Sequence, residues 1–473
     1  MAVIETAERM LPSGLRAALS PVLRRLASVL TDNGEKAAAQ RMALVAFAIR
    51  IVSAAFAFVS QILLARVMGE FEYGVFVFVW VLAVLFGDLS CLGFQTAIIR
   101  FLPQYRAAGA IEEIRGLTGT ARIFALASAG GMLVTGLIGL HFFGHLIESY
   151  YLIPAFLGLL AMPMIALGDV LEGTSRASHW PIMALSPSYL VRPLLIIAYM
   201  LVAVLLGAPA TATTAMQAAI GATFTTTAGT YLAVTFRMRR HYSSGPQTVD
   251  FFHWLGVAFP IFLIEGIGFL LTNSDVIVVG IFLAPEQVAI YFAAAKTMAL
   301  VHFVNFSVKA AAGPRFSTVI AEKDRGKLAI IAADAARWTF WPALAVGLAV
   351  LAAGHFLLSL FGGAFTAGYV LMAILLAGIL AKALVGPAEV LLMMAGKQNL
   401  CVLLYAGALA TNVILNLTLI PNFGIAGTAI ATASAMTVEA VLLHVGVRRA
   451  LGIVLFAFAR PQSPALNVKG SKT

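Results

Sequence analysis

The 473-residue chain is 61% hydrophobic and 11% charged, with a formal net charge of +10. A soluble domain carries about a quarter charged residues because its outside must meet water, so water is not the main solvent here. The basic residues are dispersed among short loops rather than gathered on one soluble face, which speaks against nucleic acid as their partner.

In chain order, the first forty residues contain LPSGLRAALSPVLRRLASVL, an apolar stretch interrupted by Pro21, Arg24 and Arg25. That pattern does not make a signal-peptide core. Leu15, Leu19, Val22, Leu26 and Leu30 keep one apolar face, so residues 1–41 are expected to form a cytoplasmic amphipathic segment lying at the membrane surface. Apolar runs then recur at 42–65, 74–98, 119–143, 150–171, 182–206, 212–236, 252–282, 288–312, 337–358, 369–395, 399–420 and 425–447. Each is close to the roughly 20 helical residues that cross a hydrocarbon core. The expected fold is therefore an all-α integral membrane protein of about twelve transmembrane helices.

The basic stretch FRMRRHYSSGPQTVD divides six spans from six. It marks 237–250 as a cytoplasmic linker between an N-lobe at 42–236 and a C-lobe at 251–450. A cytoplasmic tail at 451–473 follows, with disorder expected after Arg460. The segment ILLARVMGEFEYGVFVF in the first half resembles VIVVGIFLAPEQVAIYF at the same place in the second. Repeats of this kind imply alternating access, in which two bundles rock about a central site.

Lys and Arg resist translocation, so their loop distribution sets orientation. Alternate loops carry nearly all of them, while the opposite loops hold only Arg66. Both termini are expected in the cytoplasm. Trp180, Trp254, Trp338 and Trp341 fall at predicted cytoplasmic helix ends, where an indole favours the interface.

Four cations do not belong to any loop: Arg50, Arg192, Lys296 and Lys382. Each is placed deep within a span, where a cation costs at least about 2.5–3.5 kcal/mol on insertion scales and must face a polar cavity or a partner. Arg50, Ser53, Ala57, Ser60 and Gln61 share one helical face, as do Asp88 and Gln95. Lys382, Gly386 and Glu389 align on the tenth span, with Pro387 able to break it. Two readings stay open. The cations converge on a wet chamber that receives an anionic headgroup such as a diphosphate, with Gln61 beside them. Alternatively, they pair internally with Asp88, Asp169, Glu265, Asp275, Glu389 or Glu439. Asp88, Glu265, Asp275 and Glu389 are candidates for coupling or gating. Asn412 and Asn416, one turn apart, suit hydrogen bonds between helices.

Cys91 and Cys401 lie in apolar runs, and the histidines show no metal-ligand spacing. No GxSxG or GxxxxGK[ST] motif is present, so hydrolase and NTPase chemistry lack their groups. No enzyme activity, cofactor or metal is expected.

Three segments, ILLARVMGEFEYGVFVFVWVLAVLFGDLSCLGFQTAIIRFLPQY, NSDVIVVGIFLAPEQVAIYFAAAKTMALV and AGKQNLCVLLYAGALATNVILNLTLIPNFGIAGTAIATASA, occur in the expected order. Together they resemble the polysaccharide-transport flippases of the multidrug/oligosaccharidyl-lipid/polysaccharide exporter superfamily. The resemblance implies two six-helix lobes in a V within the bacterial inner membrane. It also implies an undecaprenyl-diphosphate-linked oligosaccharide as substrate, moved from the cytoplasmic to the outer leaflet, and polysaccharide assembly proteins as partners. Asp275, Asn412 and Asn416 fall within its motifs. The competing functions are a cation-coupled drug exporter of the same superfamily, whose cavity would favour acidic groups, and a membrane glycan polymerase or ligase. The short outer loops, with no base, acid or histidine in SLFGGAFTAG, disfavour the last.

Overall fold

The computed structural model describes residues 35–242 and 245–459, with side chains described from Val52 onward apart from 243–244. The expected surface segment before residue 35 and the tail from Arg460 lie outside the described residues. All regular structure among the described residues is helical. Among the described residues, nine helices are long and apolar enough to cross a membrane.

Two of the nine are double. Glu35–Ser90 is broken at Gly69 (φ 78°, ψ 174°), and Gln398–Leu451 at Gly424 (φ 55°, ψ −136°). Glycine suits both breaks because a Cβ would disfavour the positive φ. Ala212–His241 brings the number of crossings to twelve. It is rich in threonine, but Thr223, Thr226 and Thr230 donate to the carbonyls of Ala219, Ala222 and Thr226, so their hydroxyls are satisfied within the helix.

The crossings are, in order, 35–68; 70–108, with a turn at 91–93; Ile111–Phe143; Ser149–Ala177; 181–205; Ala212–His241; Phe251–Phe282; 285–321; Arg325–Ala352; 364–394; 398–423; and 425–451. Gly69 and Leu283 close the two hairpins at the same position of the two similar segments. The sixth crossing stays helical through His241, five residues into the expected linker. Its remainder docks on the third crossing, where Thr248 N donates to Glu112 O and Arg115 Nη1 to Pro246 O.

The fourth crossing packs against the second, third and sixth, while the seventh and tenth pack against the Gln398–Leu451 pair. The second crossing also touches the other half of the chain at both of its ends. Near the Arg66 side, a Cβ on Gly74 would lie 1.8 Å from the carbonyl oxygen of Pro285. Beside it, Arg66 donates to the carbonyls of Ser359 and Leu360 at 2.6 Å each. Near the basic side, a Cβ on Gly93 would lie 2.2 Å from Ala258 O. There Trp254 is fully buried and its Nε1 donates to Tyr105 at 2.9 Å. Trp254 is thus a contact between crossings rather than an interfacial anchor, because its indole finds a hydrogen-bond partner inside the protein.

The tenth crossing breaks at 384–387, where Gly386 has φ 57° and its Cβ position lies 2.6 Å from Ala336 Cα. The break exposes the carbonyl of Leu384, which accepts from Ala457 N at 2.8 Å. Residues 452–459 therefore form a non-helical strap ending in a turn, with Ile453, Leu455 and Ala457 buried and Arg337 donating to the carbonyls of Ala457 and Ala459.

Replacing Gly74 with Ala is expected to destabilise the protein by about 1–3 kcal/mol, since a backbone carbonyl must move to admit the methyl. Thermal unfolding of the detergent-solubilised protein checks this, with an unchanged midpoint contradicting the packing described.

Candidate functional site

Two chambers lie between the halves of the chain and meet at Phe269 and Asn273 of the seventh crossing, which line both. The first, about 420 Å³, is lined by the first, second, seventh and eighth crossings, including Ala57, Gln61, Trp80 and Lys296. Lys296 is exposed to this space, with Nζ 4.9 Å from the Phe292 ring centroid. No described carboxylate lies within ion-pair distance of it. Tyr73 donates to Gln61 Oε1 at 2.8 Å and fixes that carboxamide at the rim. Arg50 sits one helical turn before Ala54, another lining residue, but its side chain is outside the described residues.

The second chamber, about 470 Å³, is acidic. Asp88 and Gln95 of the second crossing, Asp169 and Glu172 of the fourth, and Glu265 of the seventh line it, with Arg176 as its basic member. Glu265 accepts from Gln95 Nε2 at 2.8 Å and from the Thr96 hydroxyl, so this carboxylate ties the second crossing to the seventh. Glu172 pairs with Arg176 one turn along the same helix.

The other two buried cations go elsewhere. Lys382 Nζ lies 2.6 Å from Glu439 Oε1, in an ion pair between the tenth and twelfth crossings. Glu389 pairs with Lys309, so a cation of the eighth crossing is held by the tenth. Arg192 lines a separate cleft beside Glu172, Ser188 and Thr226, of about 10 Å³. That is the volume of a single water at most, with no room for a diphosphate. Of the four candidate cations, Lys296 alone among the described side chains faces the space between the halves.

Asp275 belongs to a third arrangement, buried within the second half. Its Oδ2 accepts from Tyr291 at 2.5 Å and its Oδ1 from Val276 N, while Tyr291 also meets Thr432 at 3.2 Å. Ser274 donates to Asn412 Oδ1 at 3.0 Å, and Asn416 Nδ2 donates to the same oxygen. Asn412 thus links the eleventh crossing to the seventh, whereas the bonds of Asn416 stay within its own helix. Buried Asn416 Oδ1 and Thr428 Oγ1 have no hydrogen-bond partner. Among the described residues, no group of three His, Cys, Asp or Glu converges as a metal site.

Sequence reasoning missed Tyr291, Thr428 and Thr432 because hydroxyls inside apolar runs leave no periodic signal. It named Asp169 only as a pairing partner, and it left Glu172 and Arg176 out of the site because they approach the basic side.

The polysaccharide biosynthesis protein family matches residues 40–320. No curated protein matches the chain. Among solved structures, the chain is similar to the lipid II flippase MurJ in an inward closed conformation, at 14% identity and TM-score 0.68, covering 86% of this chain and 87% of that one. It is also similar to an inward-facing multidrug resistance MATE family transporter of the MOP superfamily, at 16% identity and TM-score 0.67, with 85% and 94% covered. A third is a MOP superfamily transporter from Pyrococcus furiosus Vc1, whose binding pocket is described as having reverse polarity, at 16% identity and TM-score 0.61, with 90% and 97% covered. At these identities the likeness is one of fold.

Removing one member of the Lys382–Glu439 pair strands the other, since Glu439 is only 4% exposed. Lys382→Ala is expected to cost about 3–5 kcal/mol, whereas Lys382→Met with Glu439→Leu recovers most of it. Thermal melts of the three proteins in one detergent measure the difference, and equal melts for wild type and K382A would remove the structural role.

Proposed function

From the premise that the chain belongs to the polysaccharide biosynthesis protein family, we propose that it carries undecaprenyl-diphosphate-linked oligosaccharides from the cytoplasmic to the outer leaflet of the bacterial inner membrane. The observation that carries this reading is Lys296, a cation deep in a span that faces a chamber between the halves with no described carboxylate beside it. A charge so placed is costly unless water or an anion completes its surroundings. An ammonium suits a phosphate as a compact point charge. Arg50, one turn from the same lining, is the proposed second contact, and Gln61 a hydrogen-bonding neighbour. Arg192 and Lys382 are assigned structural roles.

In this reading the basic side is the cytoplasm, and the lobes at 42–236 and 251–450 rock about the chambers. The contacts of Arg66 and Gly74 close the outer side, and those of Gly93 and Glu265 hold the cytoplasmic side. Alternating access requires the two sets to break in turn. Asp275 is the proposed coupling residue, since its network joins the seventh, eighth and twelfth crossings.

A second reading has a specific observation behind it. The acidic chamber, with four carboxylates and one guanidinium, suits a cationic substrate and favours a drug exporter of the same superfamily.

Lys296→Ala is expected to slow translocation of the lipid-linked oligosaccharide at least about tenfold, the equivalent of about 1.4 kcal/mol of lost contact. The intermediate should accumulate in the inner leaflet while protein level holds. Unimpaired surface polysaccharide in this variant, with drug sensitivity on deletion of the gene, would select the second reading. Asp275→Asn is expected to uncouple transport, and proteoliposomes under separately imposed proton, sodium and electrical gradients identify which driving force is lost.

A further inference from the structure

The acidic chamber adjoins the Lys296 chamber through Phe269 and Asn273, so one elongated headgroup can occupy both at once. Its chemistry is the opposite of its neighbour's. Carboxyl groups are rich in acceptor oxygens, and four of them converge here, accompanied by the amides of Gln95 and Asn273. One acceptor, Gln95 Oε1, is buried without a hydrogen-bond partner, while Asp169 shares a hydrogen bond with Asp88. A buried acceptor in that condition calls for a donor from outside the chain. Phe262 and Phe269 add apolar faces to the same walls. A volume of about 470 Å³ is that of a small-molecule site rather than an ion site.

A glycan supplies what these walls lack. Its hydroxyls are donors in quantity, and the C–H faces of its rings suit aromatic side chains. We propose that the acidic chamber is the glycan subsite, and that it selects headgroups rich in hydroxyl or ammonium donors over those bearing uronic-acid carboxylates. The inference rests on the reading of Lys296 as the diphosphate contact, with the diphosphate in one chamber and the first sugars in the next. Selection follows from charge. A carboxylate on the glycan would meet four carboxyl groups in walls whose one basic member is Arg176, with Arg192 behind Glu172, and like charges held together in a site of restricted water repel strongly. A neutral or amino sugar meets no such barrier.

The test uses the full-length protein in nanodiscs and four probes: undecaprenyl diphosphate alone, and the same carrier bearing a neutral hexose, glucosamine or glucuronic acid. The glucuronate carrier is expected to bind at least about tenfold more weakly than the hexose carrier. Glu265→Gln and Asp169→Asn should each reduce that ratio to about twofold, a change that a merely structural role would not produce because it would weaken all four probes alike. Equal binding of the hexose and glucuronate carriers by the wild type would overturn the proposal. So would an unchanged ratio in both variants, whether or not one of them folds poorly, since wild-type discrimination is measured independently. Failure of undecaprenyl diphosphate itself to bind, or its indifference to Lys296→Ala, would instead defeat the diphosphate reading and this subsite with it.

Discussion

A charged side chain inside a bilayer must find either an opposite charge or water, and the interior of this protein is arranged around where each one finds it. Lys382 meets Glu439, and Lys309 meets Glu389. These pairs stitch the later crossings together and leave no charge to offer a ligand. Lys296 has no such clasp among the described residues and opens on a chamber instead. Among the described side chains, the division separates cations that hold the protein together from Lys296, and it could not be made by depth in the membrane alone.

The backbone obeys the same rule. In hydrocarbon a broken helix has no water to satisfy its freed groups, so breaks persist only where protein supplies partners. The tenth crossing shows how: Leu384 loses its helical partner, and the strap at 452–459 returns an amide from Ala457. Arg337 then holds the strap by two of its carbonyls. Gly386 permits the break twice over, by its positive φ and by its approach to Ala336. The charged pair of Lys382 and Glu439 lies just before this irregular stretch, which ties the geometry of the break to the electrostatics of the pair.

Contact between the halves is concentrated on the second crossing. Its glycines at 74 and 93 come against backbone carbonyls of the eighth and seventh crossings, so the two halves meet through main chain at both ends of one helix. Between these seals lie the two chambers, one with a lysine and one with four carboxylates. Glu265 has a double position, as a wall of the acidic chamber and as the acceptor that joins the halves through Gln95 and Thr96. A ligand that competes for this carboxylate therefore acts on the contact between halves, which is the physical link a transporter needs between occupancy and opening.

The sequence by itself determined the all-helical membrane fold and the number of crossings, because hydropathy and span length are properties of consecutive residues. It also marked the unusual charges, since a cation inside an apolar run is visible without coordinates. Twelve runs emerge from the sequence where length and apolarity alone give nine helices among the described residues, and the difference lies in the breaks at Gly69 and Gly424 and in the threonine-rich sixth crossing. The partners of those charges were decided by tertiary structure. Lys382 and Glu439 are 57 positions apart, and Gln95 and Glu265 are 170 apart, so their pairing depends on how crossings pack rather than on any local spacing. The acidic chamber was hidden for the same reason. Asp88, Asp169 and Glu265 look like isolated acids along the chain, and only the packing of the second, fourth and seventh crossings makes them one surface.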